Sequence, residues 1–176
     1  KKLSFIIPCY GSEHTITSVV NDIVSTVQGK NDYEIICVND CSPDNVYSVL
    51  VELAKANKKI KVVNLARNFG QQNAVLAGYH YVTGDFVICL DDDGQTDPKD
   101  CYKLLDGLNE NVDVVFAKYP QKKHSKFRNL GTALTRKMTI WLIDWPKIIS
   151  NTSYYVSKRF VIDEVCRYPN PYAFMS

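Results

Sequence analysis

Apolar and polar positions come in alternating blocks along this chain. Short apolar runs rich in Ile, Val or Phe fall at residues 3–8, 33–39, 60–65, 85–90 and 112–117. Runs of that length and composition predict strands buried on both faces of a parallel sheet. Between them the apolar residues take helical spacing. Ile16, Val19, Val20, Ile23, Val24 and Val27 form a stripe over residues 12–27, and Val49, Leu50 and Leu53 repeat it over 46–56 after a Ser42-Pro43-Asp44 start signal. Residues 71–82 and 98–108 follow the same pattern, with Asp97 placed to cap the latter and Pro98 at its first position. Strand–helix alternation of this kind predicts an α/β fold with right-handed crossovers, a mostly parallel, Rossmann-like sheet and helices on both faces.

Ligands of such sheets bind beyond the carboxyl ends of the strands. Four loops lie there, at residues 8–13, 39–44, 66–70 and 91–95; all are polar and three carry carboxylates. The last opens with Asp91, Asp92 and Asp93, directly after an apolar strand. Adjacent carboxylates repel one another unless a cation neutralises them. In an extended segment side chains alternate, so Asp91, Asp93 and Gln95 should share a face and Asp92 should point away. A hard divalent cation takes oxygen ligands from one or two carboxylates plus substrate phosphates. Asp91, Asp93 and Gln95 suit that role, for Mg2+ or Mn2+ alike. The alternative is a solvated acidic turn leading into the next helix, although Asp97 already supplies that cap.

After residue 117 the pattern changes. Residues 118–128 hold Lys118, Lys122, Lys123, His124, Lys126 and Arg128 around Pro120, and read as a mobile basic loop or a solvated charge run. Leu130, Leu134, Met138, Trp141 and Trp145 mark one face of a helix over 129–145, and a short strand at 153–157 precedes a helix at 158–167. The 176 residues fit one domain with a substantial core. A net charge of +2 gives no global reason to expect nucleic acid as a partner. The six cysteines include no Cys-x-x-Cys pair and three sit in apolar runs. They read as buried small hydrophobes in a reducing, cytosolic setting. No run reaches the roughly 18–20 apolar residues of a spanning helix. Both ends look cut, so the chain reads as a piece of a longer protein.

Three stretches carry a resemblance. Ser4-Phe-Ile-Ile-Pro-Cys-Tyr10 with Glu13, Ile35-Ile-Cys-Val-Asn-Asp40 with Ser42 and Asp44, and Asp91-x-Asp93-x-Gln95 together resemble glycosyltransferase family 2, with the GT-A (nucleotide-diphospho-sugar transferase) fold. Leu65-Ala-Arg67-Asn68-Phe69-Gly70 followed by Ala74 is similar to the branch holding dolichol-phosphate mannosyltransferases and bacterial polyprenyl-phosphate glycosyltransferases. The likeness is close over 3–117, the nucleotide-sugar part, and looser over 118–176, the acceptor side.

The resemblance implies a nucleotide site built by Pro8, Tyr10, Glu13, Asp40, Arg67, Asp91 and Asp92. Asp40 would accept the imide N–H of uracil or guanine, and Arg67 would lie near the diphosphate or order the pocket. Asp93 and Asp91 would be the catalytic carboxylates, holding the metal with Gln95. Each has a plainer reading: Asp40 as a helix cap, Arg67 as a surface ion pair, Tyr10 as packing. Lys122, Lys123, Lys126 and Arg128 would close over the diphosphate as a lid. Two departures stand out: Gly11 replaces the family's usual Asn, and Asn151-Thr152-Ser153 lies where the lipid-phosphate enzymes often carry an Asp.

The implied reaction is inverting transfer from a nucleoside-diphosphate sugar. No convincing base appears among Asp144, Asp163 and Glu164. That favours an acceptor already ionised, a polyprenyl phosphate, whose second pKa is about 6. Trp141 and Trp145 beside Arg136, Lys137 and Lys147 suit a helix at a membrane surface, on the cytoplasmic face, or a plain core helix. A glycan hydroxyl acceptor, a nucleotidyltransferase and a binding module without turnover are the competing readings. A dinucleotide enzyme is disfavoured because no Gly-x-Gly-x-x-Gly follows the first strand. A homo-oligomer is compatible with the sequence.

Overall fold

In the computed structural model the described residues are 1–118 and 152–168. Residues 1–117 and 153–168 belong to one compact unit, whereas Lys118 and Thr152 fall in a second whose other residues lie outside the described set. The first unit runs β1 (Lys2–Cys9), α1 (Ile16–Val27), β2 (Asp32–Asn39), α2 (Val46–Ala56), β3 (Ile60–Asn64), α3 (Gln71–Tyr79), β4 (Phe86–Cys89), α4 (Asp100–Gly107), β5 (Val114–Phe116), β6 (Tyr155–Lys158) and α5 (Arg159–Arg167).

The strands form a six-stranded sheet in the order β3-β2-β1-β4-β6-β5. β1 pairs in parallel with β2 and β4, and β2 with β3, while β6 is antiparallel to both β4 and β5. The mostly parallel sheet is therefore as expected. The insertion of β6 between β4 and β5 is new: Tyr155–Lys158 pair with both strands.

Pleating sorts the strands' side chains onto two cores. Leu3, Phe5, Ile7, Ile35, Cys37 and Ile88 face α1, α2 and α4, which contribute Ile16, Val20, Ile23, Leu50 and Cys101. Ile6, Ile36, Val38, Val87 and Cys89 face the other way, toward Ala74 and Tyr79 of α3 and Ile162 of α5. Burial on both faces explains why the strand runs read as continuous rather than alternating. Each fully buried Ile or Phe contributes about 1.5–3 kcal/mol.

Several boundaries shift from the expected ones. α1 starts at Ile16 after a turn in which Ser12 carbonyl oxygen accepts the Thr15 and Ile16 amides. α3 ends at Tyr79 rather than 82. α4 starts at Asp100, not Pro98: Asp97 instead caps a preceding turn, accepting the Lys99 amide on its side chain at 3.0 Å. Cys9, Cys37, Cys89 and Cys101 are buried, whereas Cys41 is exposed and holds a left-handed φ of 51° in the loop after β2.

Candidate functional site

The carboxyl ends of β1, β2 and β4 open onto one pocket of about 440 Å3. Pro8, Cys9 and Tyr10 line it from the first loop, Asp40 from the second, and Asn68, Gly70 and Gln71 from the turn into α3. Asp91, Asp92 and Asp93 come from the fourth loop and Ser153 from the approach to β6.

Hydrogen bonds sew these loops together. The Tyr10 amide donates to Asp92 Oδ2 (2.9 Å), and Thr15 Oγ1 donates to the Asp92 carbonyl (2.7 Å). The Gly11 amide donates to Ser42 Oγ (2.8 Å), whose hydroxyl in turn donates to Asp44 Oδ1 (2.6 Å). Asp44 Oδ2 accepts the Glu13 amide (2.9 Å), and Glu13 Oε2 accepts the Asn45 amide (2.7 Å). Burial opposes ionisation of Asp44, but the Ser42 hydroxyl and the Glu13 and Val46 amides outweigh it and hold its carboxyl below the usual range. Gly11 sits at φ 70°. Asn is among the few other residues that tolerate this left-handed conformation.

Asp40 is buried, and both its oxygens are engaged. Oδ1 accepts the Phe69 amide and Oδ2 the Gly70 amide, each at 2.8 Å. These are charge-assisted bonds at the N-terminus of α3, where a negative charge is favoured. Asp40 thus lines the pocket and also ties down the turn into α3, so the expected cap and the expected pocket position coincide in one residue. Arg67 does not line the pocket; its guanidinium stacks over the Phe69 ring, 4.7 Å from the centroid.

The fourth loop departs from the expected alternation. Gly94 takes φ 70° and residues 92–94 bend, so Asp92 turns toward the first loop instead of away. All three aspartates line the pocket, and Gln95 does not. Asp93 Oδ1 accepts the Gln95 amide at 2.9 Å. Asp91 Oδ1 accepts from Gln71 Nε2 at 2.7 Å, and Asp91 Oδ2 accepts from Ser153 Oγ. Burial, followed by the charges of Asp93 and Asp92, raises the Asp91 carboxyl above its ordinary value against the pull of Ser153 and Gln71.

Glu13, expected in the pocket, clamps the first two loops from outside its lining. Lys122, Lys123, Lys126 and Arg128, the 129–149 helix and Asn151 lie outside the described residues. Gln71, Asn68 and Ser153 were not anticipated. For Ser153 the signal is register: Cys89 pairs with Tyr155, and continuing the antiparallel ladder past the strand ends sets Asp91 opposite Ser153.

Replacing Asp40 with Asn is expected to lower stability. An amide retains one acceptor and turns an NH2 toward the second backbone N–H. Both amides are only partly buried, and that of Gly70 also donates to Asn68 Oδ1 at 3.0 Å, so the cost is that of one lost bond, about 0.5–1.5 kcal/mol. Urea denaturation of Asp40→Asn should show this loss; a stability equal to the parent would mean the two bonds are dispensable.

A two-faced α/β sheet whose β1 and β4 ends converge on an acidic pocket is the architecture of GT-A domains. The chain belongs to glycosyl transferase family 2, whose family model matches residues 4–164. It is 32% identical over 176 residues to the uncharacterized glycosyltransferase sll0501 of Synechocystis sp., covering 99% of this chain and 55% of that protein. Its fold resembles mannosyltransferase PcManGT from Pyrobaculum calidifontis, solved with GDP-Man and Mn2+ (TM-score 0.67, 18% identity, 93% of this chain and 46% of that one). It also resembles the Mycobacterium tuberculosis glucosyl-3-phosphoglycerate synthase solved with Mn2+, UDP-Glc and phosphoglyceric acid (TM-score 0.67, 20% identity, 92% and 58%). The chain spans about half the length of these proteins.

Proposed function

We propose that this domain moves a sugar from a UDP- or GDP-linked donor to a polyprenyl phosphate, with inversion at the anomeric carbon and a Mg2+ or Mn2+ ion on the diphosphate. The observation that carries the reading is one of charge. The described lining of the pocket holds Asp40, Asp91, Asp92 and Asp93 and no basic side chain. A nucleoside diphosphate would be repelled there without a cation. Among the described residues no three His, Cys, Asp or Glu side chains form a ready-made metal cage. An ion held by one or two carboxylates and completed by substrate phosphates does not require such a cage. Asp91 and Asp93 are the carboxylates that would hold it. When bound, it supplies positive charge to the departing diphosphate. Both neighbours solved with nucleotide sugars contain Mn2+.

The chain's own residues do the positioning. Asp40 fixes the turn through Phe69 and Gly70, and Asp92 holds the backbone of Tyr10, whose exposed ring flanks the pocket. Lys122, Lys123, Lys126 and Arg128 belong to the same reading as partners of the diphosphate. The acceptor half rests on where the later acids stand among the described residues, which do not include Asp144. Asp113 pairs with Lys158 at 2.8 Å, Asp163 with Arg159 at 2.7 Å and Glu164 with Arg167 at 2.6 Å, and none lines the pocket. A phosphate monoester with a second pKa of about 6 needs no base. Its oxygen bonds to the anomeric carbon as the bond from that carbon to the diphosphate breaks, and the nucleoside diphosphate leaves with the electron pair. Such an acceptor places the reaction at the cytoplasmic face of a membrane.

A thermal-shift screen of UDP, GDP and their sugars, with and without MnCl2, tests the donor half. At a hundredfold excess over Kd, binding contributes about 2.7 kcal/mol, which raises Tm by roughly 5–10 °C for a domain of this size. One base should stand out, and its effect should depend on the metal. Flat melting curves across the whole screen would remove the assignment.

A further inference from the structure

We propose that Gln71 and Ser153 are positioning residues that grip the Asp91 carboxylate from its two oxygens and so set the orientation of the pocket's metal ligand. This inference rests on the function proposed above. Gln71 opens α3 and reaches Asp91 Oδ1 with its side-chain amide at 2.7 Å; Ser153 stands just before β6 and donates its hydroxyl to Oδ2. The two donors come from different neighbours of β4: α3 packs on β1 and β2, and β6 pairs with β4 on its other edge. Neither donor is local to Asp91, being 20 and 62 residues away along the chain.

The geometry leaves Asp91 little freedom. Rotation about χ2 of an unheld carboxylate is broad and nearly two-fold. With one donor on each oxygen the plane of the group is fixed, and both partners are neutral, so the negative charge is retained for a cation. Asp93 is held differently: among the described residues it gives only Oδ1 to the protein, to the Gln95 amide of its own loop. The fourth loop therefore presents one carboxylate anchored by α3 and the approach to β6, and another held only within its own bend. Outer partners that orient metal-binding carboxylates in this way typically change metal affinity about ten- to a hundredfold when removed.

Gln71→Ala, Ser153→Ala and Asp91→Ala are compared singly and in pairs by calorimetric titration of UDP and GDP, with and without MnCl2. Each single alanine variant at 71 or 153 should weaken manganese-dependent nucleotide binding about ten- to a hundredfold, a larger loss than any change in metal-free affinity. Ser153→Thr, which keeps the hydroxyl, should restore it. In the Asp91→Ala background the changes at 71 and 153 should add nothing, because the group they position is gone. Additive losses, or manganese-dependent affinity equal to the parent's in both single variants, would overturn the proposal. If the parent binds nucleotide with no metal dependence, the metal reading fails instead. The same cycle on metal-free affinity then decides this claim: coupling of 71 or 153 to 91 sustains it, and zero coupling ends it.

Discussion

Replacing Asp93 with alanine is expected to abolish manganese-dependent binding of the nucleoside diphosphate, by at least a hundredfold in calorimetry, with the fold unchanged. The two halves of that result have separate causes. Asp93 is exposed, and among the described residues its one hydrogen bond goes to the Gln95 amide two residues on. Substitutions of this kind usually move stability by no more than about 0.5 kcal/mol. The loss in binding follows from how few protein ligands such a site has. An ion held by one or two carboxylates and by substrate phosphates loses a large share of its protein charge with one residue. Asp92→Ala provides the contrast. Asp92 spends Oδ2 on the Tyr10 amide at 2.9 Å, so its removal should loosen the first loop and lower affinity with and without metal alike. If Asp93→Ala bound nucleotide and manganese as the parent does, Asp93 would have no place in the metal site. Equal metal dependence lost in both variants would assign the ion to the loop as a whole.

The difference between these two aspartates was not legible from spacing alone. Alternation puts Asp91 and Asp93 together and sends Asp92 away, but that rule holds only while the backbone stays extended. Gly94 at φ 70° ends the extension, and a glycine in that loop was the available hint. Where a segment is regular, the sequence pattern and the structure agree closely. The stripe Ile16, Val19, Val20, Ile23 and Val27 is the buried face of α1, and the apolar runs are the strands. Local periodicity suffices there because burial repeats every turn or every residue. Contacts set by topology are another matter. Glu13 and Asp44 lock two loops that are 31 residues apart, and Ser153 meets Asp91 because β6 enters between β4 and β5. No periodicity encodes which strand a strand will pair with. The four loops could therefore be placed at one edge, but their mutual hydrogen bonds could not be assigned.

Glu34 shows the same limit at the other end of the sheet, and its removal should give the largest loss of stability. It lies in the apolar run of β2 with its side chain 4% exposed. Its Oε1 accepts the Ser4 hydroxyl at 2.6 Å and the Thr83 amide at 2.5 Å, while Oε2 accepts Lys61 Nζ at 2.9 Å and Lys2 Nζ at 3.3 Å. Burial alone would raise its pKa. The Ser4 hydroxyl, Lys61 and Thr83 together outweigh burial and bring it from 4.5 to about 2. Removing the carboxylate in Glu34→Ala leaves the Ser4 hydroxyl and the Thr83 amide without this acceptor, at about 1–3 kcal/mol for each group left unpaired, while the part-exposed ammonium groups of Lys2 and Lys61 keep Thr83 Oγ1 and the Tyr81 carbonyl. The pH dependence follows from the sign of the shift. The folded pKa lies below the unfolded one, so the stabilisation is complete above about 4.5 and declines as pH falls through about 2. A depression of that size is worth about 3 kcal/mol at pH 7, of which about 2 kcal/mol should be gone by pH 3. Urea denaturation of the parent and of Glu34→Gln at both pH values isolates the effect, since the other carboxylates titrate in both proteins. The gap between them should narrow by that amount on acidification, because glutamine has no proton to take up. A gap of constant size would mean that Glu34 is held by shape and hydrogen-bond number rather than by its charge.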